Sequence, residues 1–162
     1  MKNLKINTAK MLFILSILFV FSSCKKDKDE ADTAGPGTYS YQGKTNKVTS
    51  GDYRKGNGQG AWIYLAGEGY TEFVQIRFAG LGDYAIPMGT LAYKVPRFAE
   101  PYDGTKYFAG GQVITAENPN GDEITGGTVK VEKTGENYVI TIDASTAKGP
   151  VTGSFTGPLT KI

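Results

Sequence analysis

The stretch GTVKVEKTGENYVITIDASTAKGPVTGSFTGPL, residues 127–159, decides the fold. Val129 and Val131 fall on one face against Thr128, Lys130 and Glu132, and Tyr138, Ile140 and Ile142 form the next apolar row. A period of two sends successive side chains to opposite faces of an extended chain, which is the pattern of half-buried strands. Residues 134–137 (Thr-Gly-Glu-Asn) and 146–149 (Thr-Ala-Lys-Gly) supply the reversals. The third segment sets Val151, Gly153, Phe155, Gly157 and Leu159 against Thr152, Ser154, Thr156 and Thr160. Three such segments predict an antiparallel meander. Gly153 and Gly157 fall on its apolar face, where packing is weak unless a ring fills the space. Phe155 is expected to lie across that gap with Tyr138 as its cross-strand partner.

Moving outward, Val74, Ile76 and Phe78 share one face of residues 72–78, while Phe73, Gln75 and Arg77 share the other. Further strands are expected near residues 39–42, 44–50, 61–66, 90–97 and 107–116. With the clearer segments this makes about eight to nine strands, divided by reversals at residues 54–60, 80–89 and 117–126. All 22 glycines, all 10 tyrosines and the one tryptophan lie from residue 35 onward. Each glycine inside a helix costs about 1 kcal/mol, so this density works against helix throughout. The expected architecture is all-β: a two-layer antiparallel β-sandwich over residues 38–162, or alternatively a small β-barrel. A domain of about 125 residues buries a core without disulfides, in keeping with the lack of cysteine after Cys24.

The front of the chain has another texture. Lys2, Lys5 and Lys10 precede MLFILSILFVF at residues 11–21, and Ser22, Ser23 and Cys24 follow. Eleven helical residues rise about 16 Å, roughly half the hydrocarbon thickness, so the segment reads as a signal peptide rather than a span. Ordinary cleavage would leave an exported domain with one free thiol and no partner for it. The run KKDKDE at residues 25–30 has no apolar residue to bury, and residues 24–37 read as a charged, disordered tether. The formal charge of +2 belongs to the whole chain. From Cys24 onward there are 15 basic and 16 acidic residues, and no basic stripe that would hold nucleic acid.

Phe21, Ser22, Ser23 and Cys24 resemble the lipobox of bacterial lipoproteins. That resemblance implies that residues 1–23 are a lipoprotein signal peptide and that Cys24 carries the lipid. Each buried methylene contributes about 0.8 kcal/mol, so two or more acyl chains anchor stably. The run KKDKDE is similar to the charged signal behind the lipidated cysteine in Bacteroidota lipoproteins, which implies the outer membrane and its cell-surface face rather than its periplasmic face. Asp32, Thr33 and Ala34 resemble the short acceptor motif for O-linked glycans in that phylum, which implies glycosylation at Thr33. Residues 127–159, with QGKTNKVTSGDY at residues 42–53, resemble the small glycine- and threonine-rich β lipoproteins of Bacteroidota over residues 39–162. Gly89 and Thr90 resemble the start of an inner strand in those proteins, here interrupted by Pro96. The resemblance supplies no active-site residue.

Histidine is absent, which removes Ser-His-acid and Cys-His arrangements and the imidazole ligands of catalytic zinc. A lipidated Cys24 is no nucleophile. GNGQG at residues 56–60 lacks the GxxxxGK[ST] pattern and leads into a strand, so it reads as a hairpin loop. NPNGDE at residues 118–123 collects oxygen ligands, but it lacks the calcium-loop order and reads as a turn. No cofactor or metal is expected. On the predicted strand at residues 61–66, Trp62 and Tyr64 share one face and Ile63 and Leu65 the other, and either pair suits the core. With Ile63 and Leu65 inward, Trp62, Tyr64, Tyr70 and Tyr102 would form an exposed aromatic platform for sugar rings or a surface protein.

The expected function is therefore a noncatalytic, membrane-anchored surface lipoprotein whose β domain binds or displays. A carbohydrate-binding module using exposed aromatics is the alternative. A glycosidase built on carboxylates from Asp52, Glu68, Glu72, Asp83, Glu100 and Asp103 is the third reading.

Overall fold

Alternating side chains become twelve strands in the computed structural model, which describes residues 36–57 and 60–162. In chain order these are β1 (Gly37–Tyr41), β2 (Lys44–Val48), β3 (Ser50–Lys55), β4 (Ala61–Ala66), β5 (Phe73–Arg77) and β6 (Gly89–Tyr93). They continue with β7 (Tyr107–Phe108), β8 (Gly110–Ile114), β9 (Asp122–Thr134), β10 (Asn137–Thr146), β11 (Gly149–Gly157) and β12 (Thr160–Lys161). Among the described residues the one helical piece is a 3-10 turn, Glu68–Tyr70. All of them lie in one unit, Thr33–Ile162. The segment read as a signal peptide, Cys24, the charged run and Thr33 fall outside the described residues.

One sheet holds all twelve strands, in the order β12-β3-β4-β5-β8-β9-β10-β11-β1-β2, with β6 and β7 branching from β9. Pairing is antiparallel except for β12 on β3 and β7 on β6. A sandwich needs two sheets face to face, so that expectation is corrected. The sheet curls into an open half-barrel, which is closer to the small-barrel alternative.

The physical cause is a single bend. β2 and β3 are separated only by Thr49, yet they stand near opposite ends of the sheet order. At the bend the Thr49 N–H donates to the Ala66 carbonyl on β4 (2.8 Å). Lys44 on β2 then reaches Glu72, just before β5 (2.7 Å).

The meander forms in the expected register. Ile140 sits between Val131 and Phe155, and Ile142 between Val129 and Gly153. Two details differ from expectation. Tyr138 pairs with Gly157, and the direct neighbour of Phe155 is Ile140. The Phe155 ring instead fills the space over glycines: a Cβ on Gly51 would lie 2.5 Å from its Cζ, and one on Gly157 would lie 3.2 Å from it.

β9 begins at Asp122, inside the segment read as a reversal, because it changes partner midway. Residues 122–124 pair with β8, and Thr128 to Val131 pair with β6. The switch occurs at Gly126 and Gly127. Gly127 has φ +91 and lies against the backbone of Asp143 and Ala144, where no side chain fits. β6 stops at Tyr93, before Pro96, which has no N–H to offer a ladder.

The inner face carries the core. Ile63, Leu65, Ile76, Leu91, Phe108, Val129, Ile140 and Phe155 are all fully buried there. Each contributes about 1.5–3 kcal/mol relative to an exposed position.

Candidate functional site on the outer sheet face

β4 settles which pair faces inward. Ile63 and Leu65 are buried in the core cluster, so Trp62 and Tyr64 point to the outer face. Cross-strand pairing then builds two rows across that face. Arg54 on β3, Trp62 on β4, Arg77 on β5 and Gly110 on β8 form the first. Asp52, Tyr64, Gln75, Gln112 and, on β9, Glu123 form the second.

Arg54 joins the rows. Its guanidinium carbon lies 5.1 Å from the Trp62 ring centroid and 4.9 Å from that of Tyr64, so one cation covers two π faces. Trp62 stays half-buried with part of the indole open, and its Nε1 edge rests close over Gly56, where a Cβ would come within 2.8 Å. Tyr64 is buried beneath this clasp. It packs edge-on against Phe73 (centroids 5.7 Å apart), and its hydroxyl accepts a hydrogen bond from Gln75 Nε2 (3.1 Å).

Farther along, Arg77 Nη2 donates to the Gly111 carbonyl (3.0 Å) and to Glu123 Oε2 (2.6 Å). Gln112 Nε2 donates to Glu123 Oε1 (3.2 Å), so the carboxylate is held from two sides. Asp52 is the strained member of the second row. It is 6% exposed and its Oδ2 makes no hydrogen bond. Burial pushes its carboxyl above the usual range, and Ser50 pulls it partly back.

Of the four rings expected in the platform, the structure brings together Trp62 and Tyr64 and places the other two elsewhere. Tyr70 stands on the 3-10 turn beyond β4, exposed and at φ 58. Tyr102 lies on the loop between β6 and β7, its ring 6.1 Å from Tyr107 and against Gly80. Its hydroxyl is buried without a partner, and burial pushes it up to about 12. Arg54 escapes sequence reasoning because it falls in the reversal read at residues 54–60, and Asp52 enters that reasoning only as one of the candidate carboxylates. The outward placement of Gln75 and Arg77 was visible in the alternation of residues 72–78.

The loop carboxylates are dispersed among separate cations. Glu72 pairs with Lys44 (2.7 Å), Asp83 with Lys55 (2.7 Å) and Glu100 with Arg97 (3.5 Å). Asp103 is held down to about 2, first by the Thr105 hydroxyl (2.6 Å) and then by Lys106 (3.0 Å). Among the described residues no group of three or more His, Cys, Asp or Glu is placed to hold a metal, and no helix is long and apolar enough to cross a membrane. Compared with known proteins, the chain matches no family model, no curated protein and no solved structure. Over the described residues it is a small all-β protein.

Proposed function

We propose that this chain is a noncatalytic binding domain, tethered by lipid at Cys24 to the outer face of a bacterial outer membrane, whose β3–β4–β5–β8 face holds carbohydrate. The observation that carries the binding reading is the half-open indole of Trp62, flanked by Arg54 and Arg77 on a rigid sheet. A sugar ring presents an apolar C–H face that stacks on an aromatic surface and hydroxyls that need planar donors and acceptors at its rim. Arg77, Gln112 and Glu123 offer these already locked to one another, so little side-chain entropy is lost on binding. The tether reading draws on the apolar run that ends at the one cysteine and on the charged run behind it. Eleven residues, Thr33 among them, lie between Cys24 and Pro36, a reach of at most about 40 Å, which bounds how far the domain would stand from a bilayer.

Glycan-array binding followed by titration tests the face: Trp62→Ala should weaken binding at least tenfold in protein that circular dichroism shows is still folded at the assay temperature. Binding unchanged in that variant removes the reading. The anchor has its own test. Cys24→Ser should lose the acyl mass and move to the aqueous phase of a detergent separation, and a wild-type protein found there with a bare thiol would remove the tether.

A second reading, docking of a surface protein, draws on Phe98. This ring is fully exposed at the corner of a turn in which the Glu100 N–H donates to the Arg97 carbonyl (3.2 Å). Cross-linking to a surface partner that disappears in Phe98→Ser supports it, and cross-linking that persists removes it.

A further inference from the structure

The loop that joins β6 to β7 carries the longest exposed run among the described residues, seven positions from 95 to 101 (Val-Pro-Arg-Phe-Ala-Glu-Pro). Among the described residues, the backbone of this run makes one backbone hydrogen bond, from the Glu100 N–H to the Arg97 carbonyl (3.2 Å). The ion pair over that turn is open to water: Arg97 Nη1 lies 3.5 Å from Glu100 Oε1, with the two side chains 73% and 48% exposed. An exposed pair of this kind adds little, and salt screens it. The base of the loop is fastened by contrast. The Lys94 N–H donates to the Phe108 carbonyl (3.1 Å), the Lys94 ammonium lies over the Tyr107 ring (5.2 Å), and the Tyr102 ring lies against Gly80. The tip can therefore open locally while the base stays closed.

An endoprotease needs such a segment, because the chain must enter the cleft extended and free of its own sheet. Two prolines prepare it. Pro96 fixes its own φ and biases Val95 toward extended backbone, and Pro101 does the same to Glu100. Arg97 decides which protease the run suits. The chain has three arginines, and two of them are held in the sheet: Arg54 of β3 pairs with Trp62, and Arg77 of β5 pairs with Trp62 and Gly110. Arg97 alone stands outside a strand, and the residue after it is Phe98, fully exposed, rather than a proline that would block the bond. Lys94 is the nearest other cation in the loop, and its backbone and ammonium are spent on the clamp at the base.

We propose that the Arg97–Phe98 bond is the processing site of an arginine-specific endoprotease, which converts the chain into a two-piece form that stays assembled. The step is hydrolysis. The bond from the Arg97 carbonyl carbon to the Phe98 nitrogen breaks, water gives its hydroxyl to the carbon and a proton to the nitrogen, and the new ends are a carboxylate and an ammonium. No strand pairing is lost, because none involves residues 95–101. The first piece carries β1 to β6 and the second β7 to β12, and the sheet interleaves them: β1 on β11, β5 on β8, β6 on β7 and β9, and β12 on β3. The cut dismantles the turn that presents Phe98 and moves that ring to a new chain end.

The test is digestion of the intact, folded protein in detergent micelles with a limiting dose of clostripain, a protease that cuts after arginine, followed by intact mass spectrometry and native size exclusion. The expected result is one primary cut, between Arg97 and Phe98, at least tenfold faster than cutting after Arg54 or Arg77. Both pieces should elute together at the position of the uncut protein. In protein unfolded by urea the three bonds should be cut at comparable rates, which assigns the selectivity to the fold. Arg97→Gln, a surface change, should lengthen the half-life of the native protein at least tenfold with an unchanged circular dichroism spectrum. The proposal is overturned by a first cut after Arg54 or Arg77, or by native protein that survives a dose sufficient to cut the unfolded chain. Equal preference for Arg97 in the unfolded chain, an unchanged half-life in Arg97→Gln, or pieces that separate on cutting overturn it equally.

Discussion

Phe155 offers the sharpest test of how the half-barrel is packed. Its side chain is 1% exposed, and it occupies volume that glycines at positions 51 and 157 leave free. Phe→Ala in a core costs about 3–5 kcal/mol, with the spread set by how far the surroundings collapse into the hole. Here the flanking positions have no side chains to move in, so Phe155→Ala is expected near the top of that range, about 4–5 kcal/mol. Gly51→Ala attacks the same contact from below. Its new Cβ would lie 2.5 Å from Phe155 Cζ and 2.6 Å from Leu159 Cδ2, an overpacking that costs about 1–3 kcal/mol.

The two changes should not add. With Phe155 removed one of the two clashes at Gly51 disappears, and the other is with Leu159 Cδ2, the end of a flexible side chain that can turn into the vacated space, so Gly51→Ala becomes much less costly in the Phe155→Ala background. Urea unfolding followed by Trp62 fluorescence measures all four proteins, and with a slope of about 1–3 kcal/mol per molar the single loss at Phe155 moves the midpoint by roughly 2 M. A cost below about 2 kcal/mol for Phe155→Ala, or an unchanged cost for Gly51→Ala in both backgrounds, would refute the reasoning.

Three further outcomes are expected. Asp52 holds its proton more strongly when folded than its reference value of 3.8, so the penalty for ionising it is present above its folded pKa and vanishes below the unfolded one. Asp52→Asn should therefore raise the thermal midpoint at neutral pH and lose that advantage in strong acid; an equal effect at both pH values contradicts this. Tyr41→Phe removes the hydroxyl that bridges Asp122 and Thr146 and should cost about 1–2 kcal/mol in urea unfolding, while Lys148 keeps its 2.8 Å pairing with Asp122. Tyr39 and Tyr102, both pushed up to about 12, keep their protons while an unfolded chain loses them near 10. Stability should thus erode as pH rises past that lower value, and phenolate absorbance should show both rings titrating late, together with unfolding.

The meander was legible because Val129, Val131, Ile140, Ile142 and Val151 alternate without interruption. β3 was not, because its inward positions are Gly51 and Tyr53 and its outward one is Asp52, a set with no apolar rhythm. Gly51 has to be glycine for a reason that lies more than a hundred residues away, in the Phe155 ring. The choice between sandwich and barrel was equally hidden. Alternation names an inward face in either architecture, and only the bend at Thr49 and the order of strands decide which one forms. At the candidate site the shared face of Trp62 and Tyr64 followed from their spacing. That Arg54 would lie across both rings depended on β3 pairing with β4, and the burial of Asn46 depended on which side of β2 faces inward.

The pairing of β1 with β11 also governs how the chain reaches this state. Tyr39 finds its neighbour Gly153 only after nearly all the rest has been made, whereas β9, β10 and β11 join through short reversals. Local contacts close quickly and distant ones carry the loop entropy, so the meander is the natural nucleus and β1 the late arrival. Made before the meander, the β1–β2 hairpin must wait with the other edge of β1 unpaired, sticky and vulnerable to proteases. The slow step in maturation is therefore expected to be this reunion rather than the formation of any single hairpin.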